Sequence, residues 1–204
     1  MREPRYFSKS TLEALARKTL RKLHPNYLNR EPQAVPLEQL IEDVFGLSIE
    51  YMRLTESGDE LGRMIYDNGY TTRFNPETDN YELVKVTAGT ILIDDRLLAS
   101  PNLHGRFRFT LAHELGHWIV HKEHFTGTGI AAAAHELSAA DDDAIEWQAN
   151  YLAQAILMPL GQVKRGFYRL RMQSTERTTI HTLAHAFEVS KQAMEIRLQE
   201  RNLI

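Results

Sequence analysis

Apolar positions near the start of the chain recur at helical spacing. Leu12, Leu15, Ala16, Leu20 and Leu23 form one stripe, and Ser10-Thr11-Leu12-Glu13 opens it in the pattern of a capping box. Pro25 stops the predicted helix, because proline cannot join the helical ladder. Asn26 to Pro36 is a polar, proline-bearing connector, and Leu37 to Phe45 predicts a second helix ended by Gly46. The period then shortens. Leu47 to Arg53, Leu61 to Tyr66, Leu83 to Val86 and Thr90 to Ile93 predict short strands. Asn68-Gly69 is a hairpin-turn signal, and Asn75-Pro76 suggests another turn. Helical character returns from about Leu103 and again over Asp141 to Pro159, where the Asp run supplies an N-cap and proline the stop. Helices, a small strand group, then helices predict an α+β architecture.

The helix from Leu103 carries the most informative residues, His113-Glu114-Leu115-Gly116-His117, inside the apolar run from Phe109 to Val120. Positions i and i+4 of a helix point the same way, so both imidazoles can reach one metal ion. Glu114 lies about a third of a turn away, beside the metal and free to act as a base. The chain contains its own control: His135-Glu136-Leu137 starts alike, but Ala139 stands where the second histidine belongs.

A catalytic zinc takes three protein ligands and keeps a position for water. The metzincin pattern needs glycine at 120 and histidine at 123, and this chain has Val120 and Glu123. His121 would extend the ligands over two turns, about 12 Å, too far for one ion. It reads as a residue behind the ligands or at the helix end. The helix from 141 offers a better donor. Glu146, Ala149, Asn150 and Ala153 share a face of small residues with one carboxylate. Such a face lets a second helix approach closely, with Gly116 helping from the other side. Glu136 and Asp141 to Asp143 are weaker competitors, in or beside a loop or cap.

The segments Arg108 to His121 and Glu146 to Pro159, the latter reading E-W-Q-A-N-Y-L-A-Q-A-I-L-M-P, resemble the ImmA/IrrE family of bacterial metallopeptidases. The resemblance implies a zincin-like core of helices around a small sheet. It implies His113, His117 and Glu146 as metal ligands and Glu114 as the general base. It also implies zinc endopeptidase activity on a protein substrate, a helix-turn-helix transcriptional repressor. Two imidazoles and a carboxylate suit Zn²⁺, and Mn²⁺ or Fe²⁺ would tolerate the same set. The insert Gly127 to Ala140 departs from the family pattern. The oxyanion donor stays open among His121, Tyr151, Tyr168, His181 and His185.

Residues 1–160 are thus expected to form the peptidase domain, and 161–204 a helical segment. In the latter, Thr178 to Phe187, a turn with Ser190 as N-cap, and Lys191 to Gln199 resemble a helix-turn-helix. Lys191, Gln192 and Arg197 are its exposed candidates for duplex contact, within 178–201. The chain has 204 residues and net charge −3, but 161–204 carries eight Lys/Arg against four Glu. That imbalance fits weak DNA contact and equally a solvated helical face. An alternative is therefore a non-enzymatic regulator, or an antitoxin-like protein, binding DNA or a partner through these helices. Cysteine is absent, which excludes disulfides and thiolate zinc sites. No signal core or membrane span is evident, and the expectation is a cytoplasmic protein.

Overall fold

The computed structural model describes residues 5–127 and 139–204, with side chains of 139–142 outside the description. The expectations placed on the Gly127–Ala140 insert, on Glu136 and on the capping Asp run fall wholly or largely outside the described residues.

Helix α1 spans Lys9–Leu23. It begins slightly earlier than the capping-box pattern suggests, because the Ser8 hydroxyl accepts from the Thr11 N–H. α2, Leu37–Gln39, runs on into a π-helical turn over Leu40–Val44. Gly46 closes it with φ +64°, a conformation that glycine adopts without steric cost.

Five strands follow: β1 Ser48–Met52, β2 Gly62–Met64, β3 Gly69–Asn75, β4 Asn80–Val86 and β5 Thr90–Asp94. They form a three-stranded sheet in the order β1-β5-β2 and a separate β3-β4 hairpin. β5 is the central strand and is buried throughout, parallel to β1 and antiparallel to β2. The turn expected at Asn68-Gly69 is corrected here. β2 pairs with β5 rather than β3, and neither Asn68 nor Gly69 has the positive φ that a type I′ turn needs. The reason is burial: Met64 is buried opposite the fully buried Ile91 of β5. Asn68 instead accepts the Ala88 N–H through its side chain. The turn signal at Asn75-Pro76 is where the hairpin turns, with Asp79 in the left-handed region.

The remaining helices are α3 His104–Phe125, α4 Ala139–Leu157, α5 Leu160–Arg171, α6 Glu176–Phe187 and α7 Lys191–Gln199. α3 lies against β2 and β5 on one side and α4 on the other, and α1 backs α4. α5 carries Val163 and Phe167 on its buried face, four residues apart. α6 and α7 add Leu183, Phe187, Met194 and Leu198 to the same apolar cluster that contains Leu111, Leu115 and Ile156. Ser190 caps α7 through the Ala193 N–H.

Arg197 corrects a second expectation. It is not exposed to a duplex: it is fully buried, donates to the Met158 carbonyl at 3.1 and 3.2 Å, and pairs with Glu13 of α1 at 2.8 Å. Arg201 and Tyr151 join the same Glu13 carboxylate. This ion pair ties α7 to α1 and to the end of α4. Lys191 and Gln192 remain exposed. No helix among the described residues is long and apolar enough to cross a membrane.

Candidate metal centre

Close approach of α3 and α4 builds the centre. Gly116 faces Ala149, and a Cβ on Gly116 would stand 3.0 Å from the Ala149 carbonyl oxygen. The small face 149/153 of α4 is buried completely against its neighbours. This proximity brings a carboxylate of α4 to the two imidazoles of α3. His113 Nε2 lies 3.2 Å from Glu146 Oε2, and His117 Nε2 lies 3.2 Å from Glu146 Oε1. The two Nε2 atoms are 2.9 Å apart. All three donors fall within 4.8 Å of one another, a group that could hold a metal ion. Two imidazoles and a carboxylate are a donor set that suits a divalent metal ion.

The opposite ring nitrogens are oriented for this. His113 Nδ1 donates to Asn150 Oδ1 at 3.1 Å, which fixes the ring with Nε2 toward the Glu146 carboxylate. His117 Nδ1 meets His121 Nδ1 at 3.2 Å, and His121 is buried one turn further along α3. Burial pulls the His121 pKa down to about 3, with His117 adding to it, so His121 is neutral and shares one hydrogen bond with His117. It stands behind a candidate ligand, in the place the spacing argument gave it.

Burial opposes charge on Glu146, but hydrogen bonds from His113 and His117 outweigh it and hold the carboxyl well below its usual range. Burial likewise opposes protonation of His113, and the Glu146 hydrogen bond with the Glu114 and Glu146 charges raises it on balance. Glu114 is 6 % exposed, and burial raises its pKa against the pull of His113 and His117. Its carboxylate sits under β2: a Cβ on Gly62 would lie 2.7 Å from Glu114 Oε1. Glycine at 62 is what gives this acid its room.

A cavity of about 560 Å³ opens onto these groups. Its lining includes Gly62, Arg63 and Tyr66 from the β2 region, Thr55, Asp59 and Glu60 from the preceding loop, and Asn150. The loop is pinned from behind. Arg96 donates to the carbonyls of Thr55 and Glu56 at 2.7 and 3.0 Å, and Asp94 holds Arg96 at 2.7 Å.

His113, Glu114, His117 and Glu146 thus all line one cavity. The five candidate oxyanion donors do not. His121 lies behind His117, Tyr151 turns to Glu13, Tyr168 is exposed on α5, and His181 and His185 sit on α6. Tyr66 was missed. It lines the cavity, and its buried hydroxyl has no hydrogen-bond partner among the described residues. Nothing in the sequence around Tyr66 distinguishes it from any aromatic at a strand end.

No curated protein matches the chain significantly. One solved structure, a Mycobacterium tuberculosis transcriptional regulator, aligns with a TM-score of 0.48 at 20% identity. That alignment covers 95% of this chain and 47% of the regulator, so the chain spans about half of that protein's length. The profile of the peptidase family Peptidase_M78, described as the IrrE N-terminal-like domain, matches residues 70–199, and this chain belongs to that family.

Proposed function

We propose that the protein is a zinc-dependent endopeptidase whose metal is held by His113, His117 and Glu146. The observation that carries this reading is the meeting of three donor atoms from two helices beside a buried glutamate that is not one of them. A bound divalent ion supplies Lewis-acid polarisation and an acidified water at neutral pH. Glu114 is the general base: it accepts a proton from the attacking water and returns it to the leaving amine nitrogen. His121 and Asn150 fix the ring orientations of His117 and His113. The β2 region and the loop before it form the wall along which an extended peptide is seated.

The substrate we propose is a helix-turn-helix transcriptional repressor, cleaved to relieve repression. The family and the motif resemblance of 108–121 and 146–159 support this reading. Residues 1–160 hold the catalytic groups, and 161–204 form a helical segment that buttresses them. Buried Arg197 supports a packing role for this segment over duplex contact.

The test is incubation of the metal-loaded protein with the repressor encoded beside its gene, with and without chelator. Cleavage should require metal and disappear in Glu114→Gln, which keeps fold and metal. A Glu114→Gln variant that cleaves as fast as the native protein would remove Glu114 from the reaction.

A further inference from the structure

Tyr66 is 2 % exposed, and its hydroxyl finds no partner among the described residues. An unpaired buried hydroxyl costs about 1–3 kcal/mol, so its position calls for an explanation. The ring cannot swing away. It stacks on Trp118 with centroids 6.2 Å apart and tilts against Phe125 at 5.0 Å. Tyr66 lines the cavity together with His117, Glu114 and Glu146. Burial, and then the charges of Glu114 and Glu146, push the phenol pKa well up, so the hydroxyl keeps its proton. A protonated donor on a residue that lines the cavity is therefore left without an acceptor among the described residues.

A substrate bound in the cavity can supply that acceptor. During amide hydrolysis, water oxygen adds to the carbonyl carbon, and the C=O electron pair moves onto the carbonyl oxygen. Glu114 takes the water proton; the C–N bond then breaks and the amine nitrogen receives that proton. The group that becomes a stronger hydrogen-bond acceptor is the carbonyl oxygen, as it takes on negative charge. We infer that the Tyr66 hydroxyl donates a hydrogen bond to this oxygen, as a catalytic residue that keeps its own proton throughout. The inference rests on the peptidase reading above.

The experiment compares native protein with Tyr66→Phe, which removes the hydroxyl and keeps the ring against Trp118 and Phe125. Both are loaded with cobalt(II) and titrated with acetohydroxamate, whose oxygens bind the metal in place of substrate and water, read by the visible spectrum. The variant should load cobalt equally and lose about tenfold in acetohydroxamate affinity, the value of one hydrogen bond. Its metal-free melting temperature should equal or exceed the native one, since an unpaired polar atom is gone. With a cleavable substrate, turnover should fall about 10²-fold with little change in KM. Equal loading with unchanged acetohydroxamate affinity would overturn the role of Tyr66 and leave the peptidase reading standing. A melting temperature several degrees lower would also overturn it, by revealing a structural partner. Failure of the native protein to load cobalt would remove the metal centre, and this inference with it.

Discussion

Gly116 of α3 and Ala149 of α4 approach so closely that a Cβ on the glycine would stand 3.0 Å from the alanine carbonyl oxygen. Three residues before Ala149 is Glu146, and on either side of Gly116 are the two histidines. The spacing between the helices is therefore the spacing between the donors. Gly116→Ala should push backbone against backbone, destabilise the fold by about 1–3 kcal/mol and weaken metal affinity. Denaturation and metal competition measure the two effects. Native metal affinity in this variant would show that the helix spacing does not set the centre.

Asn150 orients His113, a candidate metal ligand. Its Oδ1 accepts from His113 Nδ1–H at 3.1 Å and so fixes the ring with Nε2 toward Glu146. Asn150→Ala should leave the donors in place and reduce metal affinity about 10–100-fold. An unchanged dissociation constant would mean that the ring is oriented by packing alone.

Asp94 gives the fold an acid limit that does not involve the candidate ligands. Its side chain is fully buried, with Arg96 at 2.7 Å and the Leu54 N–H at 3.0 Å. Burial opposes its charge, but these hydrogen bonds prevail and lower its pKa in the folded protein. A lowered folded pKa stabilises the fold above the unfolded value, near pH 3.9, and that contribution is lost as pH falls through the folded pKa. Asp94→Asn should cost about 1.5–3 kcal/mol at neutral pH. The gap to the native protein should be flat above about pH 5 and close in stronger acid. Urea denaturation across pH checks this, and a gap that widens on acidification would contradict it. The variant should also loosen the Thr55–Glu60 rim, since Arg96 holds its carbonyls.

Much of the centre was legible because helical geometry converts spacing into direction. His113 and His117 face one way at i and i+4, and the small face at 149 and 153 announced a close helix partner. The α+β order was legible for the same reason, from the change between periods. Strand pairing was not. Asn68-Gly69 is a local signal, and the pairing of β2 with β5 depends on burial between residues distant in sequence. α5 falls within the helical segment expected at 161–204, but its own bounds were not legible: Val163, Phe167 and Leu170 hold helical spacing, while Pro159 both follows α4 and caps α5. Arg197 and Tyr66 were misplaced or missed for another reason. Whether an arginine is paired or a hydroxyl is orphaned depends on side chains far along the chain, here Glu13 for Arg197.

The central claim is that His113, His117 and Glu146 together hold a divalent metal. Metal content after exhaustive dialysis, measured for the native protein and for Glu146→Ala, tests it most directly. The native protein should retain close to one equivalent and Glu146→Ala a small fraction of it, with both folded by circular dichroism. Full stoichiometry in Glu146→Ala would contradict the account, because the third ligand would then lie elsewhere.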